Sequence, residues 1–457
     1  MSLVRRAILF GFVATVLAAG RAVAQPFAIE VVDGATGRGV PLVELRTVAG
    51  TSYYTDNAGL VAIDEVALVD QEVFFTVSSH GYEFPADGFG MRGKRLRVKS
   101  GAVERLEIQR KNIAERLYRI TGAGLYEHAV RLGRATPLEH PLLNAGVAGS
   151  DSTQCGRYRG KLFWIWGDTQ RLSYPLGNFF ATGATSSLPR DGGLAPDVGV
   201  NLSYFGDGQG FVKGLAPFKS DGPVWLTALA TLPDADGQEH LAATYMKIRA
   251  PLEVYERGLC EWDDDEQLFR EVLKFPRDAK LVPDGHSAAF TDETGDWLYV
   301  GEAIPSLRMP RRYEAWRDPQ TYERVEVDEQ FRDAATGKHV ERHHGHAAWS
   351  PARKRWISVF CESGGGSSHL GEIWYAEAER PEGPWRDAVK IITHDKYSFY
   401  NPTQHPYFAD AEGRYLYLEG TYTATFSGNE RLTPLYEYNQ IMYRLDLNDP
   451  RLKVAWR

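Results

Sequence analysis

Three segments of this chain can be laid in parallel, and that repetition limits its fold more than any other feature. "DGHSAAFTDETGDWLYVGE" from Asp284, "HGHAAWSPARKRWISVFCE" from His344 and "TQHPYFADAEGRYLYLEG" from Thr403 share one plan. Each holds a histidine, a short apolar strand, a turn and an aromatic-led second strand. The histidines, His286, His346 and His405, lie 60 and 59 residues apart. "GSDSTQCGRYRGKLFWIWGD" has the same shape earlier, with Asp151 in the histidine's place. A weaker strand–turn–strand unit, "PVWLTALATLPDADGQEHLAATYMKI" from Pro223, lies between them. Residues 143–457 therefore divide into five units of about 63 residues. A period above 40 residues with several strands per unit marks a β-propeller, and five units imply five blades. The supply of turn formers and strand-favouring aromatics (45 Gly, 24 Pro, 11 Trp, 23 Tyr, 21 Phe) agrees with an all-β chain.

The first strand of a blade lines the central channel, and the second returns antiparallel to the face where the first began. First strands open with Asp151, His286, His346 and His405; second strands end at Asp168, Glu302, Glu362 and Glu419. The repeat thus predicts a funnel with titratable walls, its three histidines converging near the axis. Asp284 and Asn401 lie just before their histidines and can join it. Gln154 follows Asp151 on the first strand, and Trp166 is among the tryptophans able to stack on a sugar ring.

The residues before the repeat fall into three parts. Residues 25–108 alternate like a small β-sandwich, with turns at Asp33–Gly37 and Thr55–Gly59. Residues 109–142 carry apolar positions at Ile113, Leu117, Ile120, Leu125, Ala129 and Leu132, which predicts a partly helical linker stopped by Pro137 and Pro141. Residues 1–24 have the form of a signal peptide: Arg5 and Arg6, an apolar run from Ala7 to Ala19, then Ala22-Val23-Ala24 before Gln25. The run is short of the roughly 20 residues that span a bilayer, and no later segment is long and apolar enough. The expectation is an exported protein with no membrane-spanning segment in the mature chain. The net charge of −8 becomes −11 once the signal segment and its three Arg are removed. That balance argues against a nucleic-acid partner, which calls for clustered Lys and Arg. Three cysteines are too few for a disulfide framework.

Two stretches resemble known families. "VVDGATGRGVPLVELRT" and "HGYE" resemble the carboxypeptidase-regulatory or transthyretin-like β-sandwich found beside exported enzymes. Over residues 143–457, "GSDSTQ", "FWIWGDTQ", "GEIWYAEAERPEGPW" and "NPTQHPYF" resemble the five-bladed propeller glycosidases, the broad group around glycoside hydrolase families 43 and 117. The resemblance implies Asp151 as base, Glu302 as general acid, and His286 or His346 as alternative acids. It also implies His405 near the axis beside a metal or water. Asp284 and Asp168 would tune the pair, and Asp168, Trp166, Glu362, Glu419, Gln154 and Asn401 would contact substrate. Blade 2 departs from the pattern, since it lacks the aspartate that the resemblance calls for.

The leading expectation is a glycoside hydrolase, because glycosidic cleavage needs one group to protonate the leaving oxygen and another to activate water or attack carbon. Two others share the fold and a carbohydrate ligand. One is a glycan-binding propeller without catalysis. The other is a polysaccharide lyase in which His286, His346, His405 and Asp151 hold a divalent metal; three imidazoles suit a transition metal better than calcium.

Overall fold

Alternating apolar residues fold the first part of the chain into two facing sheets. One sheet runs, edge to edge, Leu60–Ile63, Phe27–Asp33, Val103–Arg110, Tyr82–Glu83; the other runs Ser52–Tyr54, Glu44–Thr47, Glu72–Ser78, Gly93–Arg97. Ile29, Val31, Leu45, Phe75 and Leu106 fill the space between them. The first turn forms because the Asp33 carboxylate accepts the Ala35 N–H at 2.8 Å while Gly37 takes a φ of +72°. The computed structural model describes residues 25–410 and 412–456, so the candidate signal peptide, 1–24, lies outside the described residues. No helix among the described residues is long and apolar enough to cross a membrane, and the three cysteines are free.

Five largely antiparallel sheets come next in chain order. Their first strands are Thr153–Tyr158, Val224–Pro233, His286–Asp292, Arg342–Ser350 and Ser398–Gln404. Each lies beside the first strand of the next sheet, and the fifth returns against the first. Across that closing seam the Thr403 hydroxyl donates to the Thr153 carbonyl at 2.9 Å. The chain is a five-bladed β-propeller preceded by a β-sandwich, as the repeat predicts. Blade 4 gains a fifth strand, Glu329–Asp333, laid parallel to Trp385–Thr393.

The segment expected to be a partly helical linker does something else. Glu115–Arg119 is a strand, paired antiparallel with Asn439–Asp446 as the outermost strand of blade 5. All five of its residues are buried, so it shows no alternation, and its apolar positions resemble a helical spacing by accident. Only Glu127–Arg131 is helical. Blade 5 is thus built from both ends of the propeller, which ties the ring shut.

The sandwich is fastened to that same strand. Asn57 pairs with both backbone groups of Arg119, accepting its N–H at 2.8 Å and donating to its carbonyl at 3.0 Å. The buried Arg119 guanidinium donates to the carbonyls of Ala123 at 3.0 Å, Gly124 at 2.8 Å and Leu435, and lies 4.2 Å from the centre of the Tyr436 ring. The Tyr436 hydroxyl in turn accepts the Leu42 N–H at 2.9 Å and donates to the Thr55 carbonyl. Arg119→Ala strands buried carbonyls at the seam and is expected to cost about 3–5 kcal/mol in urea unfolding. Arg119→Lys should recover only part of it, because an ammonium cannot fork to several carbonyls in the plane of a guanidinium.

Candidate active site in the propeller funnel

The funnel is set by a break near the start of each first strand. Ser152, Ala228, Gly285 and Asn401 all have positive φ, between +45° and +95°. Blade 4 has a register shift between Arg342 and Gly345 at the matching place. Such breaks turn the preceding side chain away from the ladder. The equivalent residues before them are Asp151, Thr227, Asp284, His344 and Tyr400, one from each blade. This is the polar ring that the repeat predicts, though with different members. Aligning the histidines by sequence makes no allowance for the extra residue at the breaks of blades 2, 4 and 5.

On the side of blades 1 and 5, Asp151 sits among hydroxyls. Its Oδ1 accepts from Ser152 at 2.5 Å and Thr421 at 3.4 Å, and its Oδ2 accepts from Tyr438 at 2.8 Å, with the Tyr400 hydroxyl also bonded to the carboxylate. Burial raises the Asp151 pKa, and these four hydroxyls oppose that rise. Asn401 supports the arrangement by donating to the Ser152 hydroxyl at 2.6 Å. Asp168, half-buried, is raised to about 6 by burial and then by the Asp151 charge, against one hydrogen bond from Trp225 at 3.3 Å. The two carboxylates have no cationic partner among the described residues. One proton is therefore held near this pair in weakly acidic solution.

On the side of blades 3 and 4, His344 Nδ1 meets Glu302 Oε2 at 2.9 Å. Burial works against the imidazolium, but the Glu302 hydrogen bond and charge, with Asp284, outweigh it, so the His344 pKa is raised. Its side chain is 47% exposed, and with Nδ1 occupied its Nε2 is left for the funnel. Asp284 is raised by burial and by Glu302. Farther along blade 4, Glu362 accepts from Trp374 at 2.8 Å; burial and a proton shared with Glu372 raise it to about 6.

Other residues singled out from the sequence lie elsewhere. His286 and His346 are buried at the axis and stacked on each other, ring centres 4.6 Å apart. The Gln404 N–H donates to His346 Nδ1 at 3.1 Å, which places the proton of the neutral ring on Nε2. Burial, with neighbouring histidines, lowers His286 well below the usual imidazole range and His346 to about 3. Neutral rings of this kind are poor proton donors. His405 comes just after the end of its strand and turns between blades 5 and 1, where it meets Glu419 at 3.2 Å, both side chains fully buried beside Trp164 and Phe408. It does not join the other two histidines, and no group of three or more His, Cys, Asp or Glu among the described residues is arranged to hold a metal ion. Glu419 is thus not on the funnel wall. Thr421, two residues on, is, because the break at Asn401 shifts the blade 5 register. Trp166 is fully buried against Trp164 and Tyr204 and is packing rather than a stacking platform. Gln154 is half-buried, and its amide makes no hydrogen bond among the described residues.

The sequence repeat does not foresee Tyr400, Thr421 or Tyr438. Placing the break would have found Tyr400, but Tyr438 lies in the turn just before the third strand of blade 5, Asn439–Asp446, which no first-strand repeat reports. A cavity of about 560 Å³ lined by Trp349, Asp410, Glu412, Tyr415 and Tyr417 opens between blades 4 and 5. It includes none of the ring residues; His405 lies along it, but its acid partner Glu419 does not and both side chains are fully buried, so we place the chemistry at the ring.

No protein family matches this sequence, and no curated protein does. Among solved structures, an exo-1,5-α-L-arabinanase from a bovine ruminal metagenomic library superposes over 66% of this chain and 94% of its own, at 10% identity and a TM-score of 0.39. A glycoside hydrolase family 43 protein from Bacillus licheniformis covers 65% of this chain and 71% of its own (16% identity, TM-score 0.39). An exo-β-1,3-galactanase from Phanerochaete chrysosporium covers 73% and 64% (9%, 0.40). Likenesses at this level carry no weight for the chemistry, which has to be argued from the side chains of the ring.

A raised carboxyl binds more protons folded than unfolded, so Asp168 lowers stability as pH rises from its unfolded value of about 4 to about 6. Asp168→Asn is expected to stabilise the protein at pH 7, by on the order of 1–3 kcal/mol, and to have little effect at pH 3.5. Urea melts at the two pH values measure the difference.

Proposed function

We propose that the funnel is the active site of an exported glycoside hydrolase, with Asp151 as base and the His344 imidazolium as proton donor. The observation that carries this reading is geometric: a carboxylate bound by hydroxyls in blade 1 and, on the same ring in blade 4, an imidazole whose Nδ1 is held by Glu302 while its Nε2 is left for the funnel. Glycosidic cleavage calls for one group to take a proton and another to give one, and these two face the same funnel. Asp151 would take a proton from water as it attacks the anomeric carbon, while His344 Nε2–H protonates the departing oxygen. Glu302 is the positioning residue: it fixes the His344 tautomer and favours its charged form. Asp168 keeps negative charge beside Asp151, and Asp284 adds to the field on His344. This assignment moves the acid from Glu302 to its partner. The lyase reading is not favoured, since His286, His346, His405 and Asp151 form no group arranged to hold a metal ion among the described residues.

Activity should fall as pH drops through about 6, where Asp168 takes up a proton, with Asp151 protonated above the usual carboxylate range, and fall again as His344 loses its proton above the usual imidazole value. Glu302→Gln removes what raises His344, so its alkaline limb should move to lower pH. Asp151→Asn and His344→Gln should each lower kcat by roughly a hundred- to ten-thousandfold with binding retained. Mass spectrometry of products from a panel of plant, algal and bacterial glycans supplies the assay. Fragments carrying one added water support hydrolysis; fragments lacking it indicate a lyase; retention without cleavage indicates a binding propeller.

Export belongs to the same proposal and rests on Arg5, Arg6, the apolar run and Ala22-Val23-Ala24. N-terminal sequencing of the protein recovered outside the cytoplasm should begin at Gln25.

A further inference from the structure

Eight residues of the sandwich, Arg92 to Lys99, carry five cations and no acid in a chain of net charge −8. They form the edge strand Gly93–Arg97 and its flanks. Leu96 and Val98 turn into the core. Strand alternation therefore sets Arg95, Arg97 and Lys99 on the outer face, all exposed and about 6.6 Å apart along the strand. The neighbouring strand places Phe74 opposite Arg95 and Glu72 opposite Arg97. Phe75 and Val77 face inward, so Phe74 shares the outer face. Its ring lies across Gly93, where a Cβ would come within 2.7 Å of it. Arg46 is exposed on the third strand, opposite Thr76.

Arg92 and Lys94 are paired with Glu83 and Glu104. Among the described residues, Arg46, Arg95, Arg97 and Lys99 make no ion pair; the acids near them are Glu72 opposite Arg97, Asp70 beside Lys99, and Glu44, which is paired with Arg431. Guarding a free sheet edge needs one or two charges; it does not need an aromatic ring bedded on a glycine among them. We propose that this face binds an acidic polysaccharide. Its carboxylate or sulfate groups would sit on Arg95, Arg97 and Lys99, and one sugar ring on Phe74. Cations repeated in a line match a linear polyanion, whereas a bilayer presents a plane of charge. The site lies on the sandwich alone and does not depend on the reading of the funnel.

The test is binding by the full mature chain at low salt to polygalacturonate, alginate and chondroitin sulfate, with neutral xylan and phosphatidylcholine–phosphatidylglycerol vesicles alongside. At least one acidic polymer should bind, more weakly as salt rises. The triple variant Arg95→Ser/Arg97→Ser/Lys99→Ser should lose at least about tenfold in affinity and most of the salt dependence. Phe74→Ala should weaken binding while leaving the salt dependence unchanged. All of the altered side chains are exposed or half-buried, and circular dichroism confirms that the variants fold. Binding to none of the three polymers, full affinity in the triple variant, or binding to the vesicles alone would each overturn the proposal.

Discussion

Everything in this structure depends on closing a ring of five sheets whose first and last members have no covalent link. The strand Glu115–Arg119, placed before the propeller in sequence, completes the last blade and so brings the two ends of the ring together. Backbone hydrogen bonds hold it on one side, and the Arg119 guanidinium caps the turns just after it. Without that closure the fifth blade would lose its outer strand, and Tyr400, Thr421 and Tyr438 would lose their fixed places around Asp151.

The sandwich is part of the same closure. Asn57 satisfies the backbone of Arg119, and Leu42 packs into the core of blades 4 and 5. A second polar contact, between His80 and the Tyr422 hydroxyl at 3.0 Å, lies on the same interface. The small domain therefore bears on the site through blade 5, which supplies four of the groups around Asp151 and Ser152: Asn401, Tyr400 and Thr421 from its strands, and Tyr438 from the turn before its third strand. The same strands support the base on one face and the sandwich on the other.

Within the funnel, low exposure is used in two ways. It lifts the proton affinity of Asp151, Asp168 and Asp284, and it suppresses that of His286 and His346. Burial disfavours charge of either sign, so the groups that remain charged are those with a specific partner. His344 has such a partner in Glu302. This contrast separates His344 from His286 and His346, although all three belong to the same repeat.

The repeat of His286, His346 and His405 was enough to establish a propeller, because a unit that cannot bury its own faces must stack on copies of itself. It also placed Asp151, Asp168, Asp284 and Glu302 at one end of the channel, since strand ends are set by strand count. It did not determine which side chains meet. One extra residue at the break in blades 2, 4 and 5 moves the next side chain to the other face, and a plain period-two reading of the strands makes no allowance for it. That is why His405 and Glu419 are buried together while Tyr400 and Thr421 line the site. The Glu115–Arg119 strand was hidden for a related reason: it is covered on both sides, and only the tertiary fold supplies the second cover.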